Sequence, residues 1–124
     1  MENTIKEYIE EKIPELSGRL YPIMVVDPDE GIHIAYTFTD ISAGHVSQSQ
    51  LTLNVICDDY DEGMEVHNKI QEFLGMEEDD PFLVFKNIRF RSELMSGGGR
   101  LFNEEIQKWE LSKYYKIDWR KIHV

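Results

Sequence analysis

The sequence predicts an α+β fold: an antiparallel or mixed β-sheet of about five strands with two α-helices packed on one face, in the order α-β-β-β-α-β-β. Three observations carry this reading. Apolar residues alternate with polar ones across 32–39 and again across 51–58, the period of two that marks a strand with one buried face. Apolar residues recur at helical spacing across 5–13 and 64–74. Between these stretches lie Pro, Gly, Asp and Ser clusters that read as turns. The chain has 124 residues, which suits one domain over 1–124 with a core of its own.

The first helix is expected over 3–14. Ile5, Tyr8, Ile9 and Ile13 form its stripe, with Lys6, Glu7, Glu10, Glu11 and Lys12 outside. Asn3 or Thr4 is the expected cap, with Glu7 in capping-box spacing after Thr4. Pro14 and Ser17-Gly18 close it. Residues 20–26 read as a short strand, and Pro22 inside it points to an edge position. Asp27-Pro28-Asp29-Glu30-Gly31 is a turn. It is not expected to bind calcium: an EF-hand loop starting at Asp27 needs Glu at its twelfth position, where Phe38 stands.

Ile32, Ile34, Tyr36 and Phe38 then alternate with His33, Ala35, Thr37 and Thr39, the clearest strand in the chain. A link over 40–46 leads to Leu51, Leu53, Val55 and Cys57, expected as its antiparallel neighbour. Asp58-Asp59-Tyr60-Asp61-Glu62 ends that strand and opens the second helix. Asp59 is placed to cap it, and Asp61 and Glu62 sit where the helix dipole favours negative charge. Met64, Val66 or His67, Ile70, Phe73 and Leu74 face the sheet, and Gly75 is the stop. An acidic loop follows over 76–81.

Residues 82–91 read as one strand, with Phe82, Val84, Ile88 and Phe90 on one face and Leu83, Phe85, Arg89 and Arg91 on the other, so that part of it is expected to be covered on both sides. Residues 92–105 are expected to be a loop around Gly97-Gly98-Gly99. The last strand is placed at 109–119, with Leu111, Tyr115, Ile117 and Trp119 inward and Lys113 breaking the apolar face. Residues 120–124 read as a fraying end.

Composition narrows the function. The net charge of −11 argues against general binding to nucleic acid or anionic membrane. There is no apolar run long enough to span a bilayer, and no charged-then-apolar leader at Met1, so synthesis in the cytosol is expected. A single cysteine, Cys57, excludes an internal disulfide and a Cys-rich zinc site. The charge is uneven. Residues 1–80 hold four Lys+Arg against 19 Asp+Glu, a net of −15; residues 81–124 hold nine against five, a net of +4. An acidic surface and a basic one on the same molecule suit head-to-tail association.

No stretch carries catalytic chemistry. Ser96-Gly97-Gly98-Gly99-Arg100 lacks the Gly-Lys-Ser/Thr ending of a phosphate-binding loop, and reads as a mobile hairpin. His33, His45, His67 and His123 show no metal-ligand spacing. Cys57 lies on the inward side of its strand, an inert thiol rather than a nucleophile beside His67 or His33. The carboxylates lie in loops and on helix exteriors, where nothing raises a pKa for acid–base work. Trp109 and Trp119 read as core or interface anchors. The expectation is a protein without catalytic residues, cofactor or metal.

Three stretches and the order of the elements resemble a known family. The stretches are Leu20-Tyr21-Pro22 after the first helix, the Asp-ended strand Leu53-Asn54-Val55-Ile56-Cys57-Asp58 leading into the second helix, and Trp109-Glu110-Leu111-Ser112-Lys113-Tyr114-Tyr115-Lys116-Ile117 after the glycine loop. Over nearly the whole chain they are similar to the small tail-completion or tail-terminator proteins of long-tailed bacteriophages. The resemblance implies a structural protein, not an enzyme. It would form a ring, typically of six subunits, on the end of the tail tube, stop tail growth and join the tail to the filled head. Its partners would be copies of itself, the tail-tube protein and the head–tail connector or neck proteins. Its place would be the virion, after assembly in the host cytoplasm. Subunit or tube contacts are then expected from the later, more basic part: Arg89, Arg91, Gly97, Gly98, Gly99, Arg100, Lys113 and Lys116. The alternatives are a head-completion or neck component, a small α+β ligand-binding module or enzyme, and a DNA-binding role resting on Arg89, Arg91, Arg100, Lys113, Lys116, Arg120 and Lys121.

Overall fold

The computed structural model describes residues 1–25, 31–42, 47–77 and 79–122. The chain runs α1 (Glu2–Lys12), a 3-10 turn (Pro14–Leu16), β1 (Leu20–Pro22), β2 (His33–Ser42), β3 (Ser47–Cys57), α2 (Tyr60–Leu74), β4 (Leu83–Phe85), β5 (Ile88–Leu94), β6 (Gly99–Asn103) and β7 (Lys108–Lys121). All strands join one mixed sheet in the order β1-β2-β3-β7-β5-β4, with β6 also paired to β7. The α+β class holds. Among the described residues the sheet has seven strands rather than about five, and the order of elements gains the 3-10 turn and two strands.

The core lies between the helices and one face of this sheet. Alternation sends Ile34 and Tyr36 of β2, Leu51, Leu53, Val55 and Cys57 of β3, and Leu111, Tyr115 and Ile117 of β7 to that face, where they are buried. Ile5, Tyr8 and Ile9 of α1 and Ile70 and Leu74 of α2 cover them. Tyr8 meets Phe73, Phe85 and Phe90 edge-on, with centroids at 5.6, 5.1 and 5.2 Å, so one ring ties α1 to α2 and to the β4–β5 hairpin. The Tyr115 hydroxyl is buried among these groups, and burial pushes its pKa up to about 12.

The local signals hold in part. Asp59 caps α2, its carboxylate accepting from the Asp61 N–H at 2.9 Å. The capping box at α1 does not form. The helix already starts at Glu2, with Ile5 N–H donating to the Met1 carbonyl at 3.0 Å, so Asn3 and Thr4 lie inside it. Pro22 ends β1 as well as marking it as an edge strand. Beyond it the chain makes a γ-turn, Met24 N–H to the Pro22 carbonyl at 2.8 Å, centred on Ile23 at φ 71°. The predicted turn over Asp27–Glu30 lies outside the described residues, as do His45 and His123 and part of the 40–46 link.

The stretch 82–91 differs most from the expected elements. It is a hairpin, not one strand: Phe85 pairs with Ile88 across a two-residue turn, with Lys86 taking the positive φ (55°) such turns require. The turn reverses the faces. Leu83, Phe85, Ile88 and Phe90 share the core side, while Val84 is 52% exposed, so this strand is not covered twice. The presumed free end is also ordered as far as Ile122. Arg120 and Lys121 pair with Arg89 and Ile88, and Ile122 N–H reaches the Asn87 carbonyl at 2.8 Å.

The glycine run is a bulge within the sheet rather than a hairpin. Leu94 pairs with Tyr115 and Gly99 with Ser112, so four residues of one strand stand opposite two of the other. Gly97 and Gly98 sit at φ 106° and 103°. A Cβ on Gly98 would lie 2.4 Å from the Ser112 carbonyl oxygen. The hairpin turn comes later, at 104–107, where the Asn103 side chain accepts from the Glu105 N–H and Gln107 takes φ 55°. Gly98→Ala is therefore expected to lower stability by roughly 2–4 kcal/mol, a fall in Tm of roughly 10 °C. Gly99→Ala, with no atom within 4 Å of the new methyl, should stay within about 0.5 kcal/mol. Thermal denaturation of both variants checks the pair.

Candidate interaction surface

β7 decides where the eight expected contact residues point, because its alternation sorts its neighbours between two faces. Arg100 lies opposite Leu111 and so shares the helix side, its guanidinium 5.8 Å from the centre of the Tyr60 ring. Lys113 is on the same side and donates to Gln71 Oε1 on α2 at 2.9 Å. Together with Gly97, Gly98 and Gly99 they line a pocket of about 170 Å³, whose far wall is Met64 and His67. Five of the eight residues thus come together beside α2. Arg89, Arg91 and Lys116 do not join them. They lie on the opposite face of the sheet, which carries no helix among the described residues.

His67 is the chemically distinctive group of the pocket. It is fully buried, and its Nε2–H donates to the Leu111 carbonyl at 2.6 Å. That bond leaves Nδ1 as the acceptor, and among the described residues no group hydrogen-bonds to it. Burial pulls the His67 pKa down, and the nearby Lys113 charge adds to the effect. Cys57 lies close by under α2, where a Cβ on Gly63 would come within 2.5 Å of its sulfur. Burial first, then the Asp58 and Asp59 carboxylates, push its thiol up to about 11, so at neutral pH it stays protonated.

The open face is a sheet surface with its own polar order. Glu110 accepts from Asn54 Nδ2 and Asn103 Nδ2, each at 2.9 Å, and the Ser112 hydroxyl donates to Asn54 Oδ1 at 3.1 Å. Lys108 pairs with Asp58 at 2.5 Å, and this hydrogen bond holds the Asp58 carboxyl below its ordinary range. Arg91 reaches Asp118 at 3.4 Å and Glu93 at 4.0 Å, and stands 5.0 Å from the centre of the Phe82 ring. Lys116 is opposite Glu93 in register. Arg91 therefore serves the sheet itself through cross-strand pairing.

Two features of this face escape the sequence reading. Arg120 is the direct cross-strand neighbour of Arg89, beyond the expected end of the last strand at 119. Continuing the alternation by one residue would have placed it. At the other end, the γ-turn lifts Ile23 and Met24 into solvent, 75% and 62% exposed. They and Ile106 flank a cleft of about 270 Å³ whose floor includes Ala35, Ile56 and Glu110. Leu101, 60% exposed, pairs with Glu110 beside it. The available signal is the apolar run after Pro22, which in the sequence has the look of a continuing strand.

No family model and no curated protein matches the chain. Among solved structures, a chain of the virion of a native gene transfer agent particle has the same fold, with a TM-score of 0.59, 12% identity and 90% of each chain covered. The likeness is one of fold.

The His67 geometry sets a pH dependence. The unfolded chain binds a proton at the ordinary histidine pKa of 6.5, and the folded chain only below that. The unfolded state therefore holds more protons below pH 6.5, so this contribution is complete above that value and is lost as pH falls below it. Denaturant unfolding at pH 7.5 and 5.5 should show a loss of stability on acidification that is smaller in His67→Gln.

Proposed function

We propose that the chain is a structural component of a phage or prophage particle, forming a ring that caps the tail tube, ends tail growth and joins the tail to the head. The observation that carries this reading is the shared fold, over 90% of both chains, with a protein of a gene transfer agent virion. The sequence resemblance to tail-terminator proteins points the same way. In this reading the chain is not an enzyme. Its work is done by surfaces: an acidic helix layer, an open sheet face with basic residues at one end, and apolar side chains raised at the other. The tail-tube protein would meet one end of the ring and the neck proteins the other. A head-completion or neck role is the second reading, since a fold shared with a chain of a gene transfer agent virion suits a neck part as well as a tail cap.

Mixing the purified chain with polymerised tail tubes and viewing them by negative-stain microscopy tests this. The expected result is a cap on one end of each tube, six-fold in projection, with tube lengthening stopped. Binding to the head connector but not to tubes would assign the neck role instead. Binding to neither would overturn both.

A further inference from the structure

The cross-strand pair of Arg89 and Arg120 is a cost to the fold. Like charges directly opposite on neighbouring strands repel. Both side chains are exposed, and among the described residues neither forms an ion pair. Beside them, Pro81 and Phe82 complete a cleft of about 410 Å³. Arg91, one step along β5, has Asp118 and Glu93; among the described residues the Arg89–Arg120 row pairs with no carboxylate.

The opposite layer carries the complementary charge. On α2, Asp61, Glu65 and Glu72 fall within about 40° of one another around the helix axis. All three are exposed, and none has an ion pair among the described residues. Asp61 and Glu65 stand four residues apart, where like charges repel. One molecule therefore has a self-repelling basic row on its open sheet face and a net acidic row, with Lys69 on its flank, on its helix layer. The sheet lies between them, so the two rows cannot meet within one copy.

We propose that the Arg89–Arg120 row and its Phe82 cleft form a docking site for the Asp61–Glu65–Glu72 row of a second copy of this chain. The contact is heterologous: each copy offers its sheet face to one neighbour and its helix layer to another, as closed rings require. It deepens the ring reading and rests on it. The guanidinium planes suit bidentate pairing with carboxylates, and Phe82 gives them a partly dry wall.

A charge swap in the intact chain tests it, read by sedimentation velocity. Wild type is expected to associate at about 20 mM salt and to dissociate by about 300 mM, as screened charge pairs do. R89E/R120E and E65K/E72K should each weaken association at least about tenfold. Mixed in equal amounts, the two variants should associate again, since every contact then joins opposite charges. Circular dichroism confirms that both remain folded. Wild type that stays monomeric at low salt overturns the proposal, as do variants that associate like wild type or a mixture that fails to recover. If wild type stays monomeric but binds a short DNA duplex, and R89E/R120E does not, the arginine row belongs to nucleic acid. None of these outcomes depends on tube capping, so this contact can fail while the tail-terminator reading stands.

Discussion

The antiparallel ladder between β3 and β7 is the constraint on which the other elements depend. Eleven residues of each strand pair without a break, from Ser47 with Trp119 to Cys57 with Trp109. The partners are some fifty to seventy positions apart, so the ladder closes a long loop before it gains anything. It then fixes both the core and the outer strands. β2 is added on the free edge of β3, in register from His33 with Ile56 to Thr39 with Gln50. α2 is carried directly out of β3 and lies across both central strands. Gly63 permits that approach, since any side chain there would strike Cys57 and Leu111. His67 locks the helix to the Leu111 carbonyl, and the Ser92 hydroxyl holds the Leu74 carbonyl at its other end.

The second edge of β7 is shared by two strands, and the glycine bulge makes this possible. β5 takes residues 115–121 and β6 takes 108–112. Met95 N–H keeps the Tyr114 carbonyl satisfied across the gap, at 2.9 Å. The two extra residues at the bulge are accommodated at positive φ, which glycine adopts without cost from a Cβ. The bulge also joins β6 to the end of the strand nearest α2. Arg100 and Lys113 then face the helix, while Arg89 and Arg91 face away. A basic segment that looks uniform in the sequence is divided between two surfaces by this geometry.

The parts of the fold that were legible share one property: their signals are local and periodic. The alternation in β2 and β3, the Asp59 cap and the stripe of α2 each follow from neighbouring residues. What was missed depends on pairing. Nothing near Lys86-Asn87 has the Asn-Gly or Gly-rich form of a tight hairpin, so Phe82 to Arg91 reads as one strand until Phe85 is seen opposite Ile88. Gly97 to Gly99 reads as a loop because composition cannot separate a turn from a bulge held by a third strand. For the contact residues, the basic character of the last third was visible in the sequence. Which arginine already has a partner was not: Arg91 meets Asp118, 27 residues away, whereas Arg89 meets another arginine.

The open face shows where a partner would gain most. Several of its groups already have partners: Glu110 accepts from Asn54 and Asn103, Lys108 pairs with Asp58, and Arg91 reaches Asp118. A partner displacing such bonds would have to replace each one, with little net gain. The ends differ. Arg89 and Arg120 repel one another at one end, and at the other Ile23, Met24 and Leu101 hold apolar surface in water. Ile23 does so at a backbone angle that β-branched residues rarely adopt, a local cost that the γ-turn imposes. Covering either end relieves a cost that the free chain carries, and relief of that kind concentrates binding energy in a few residues.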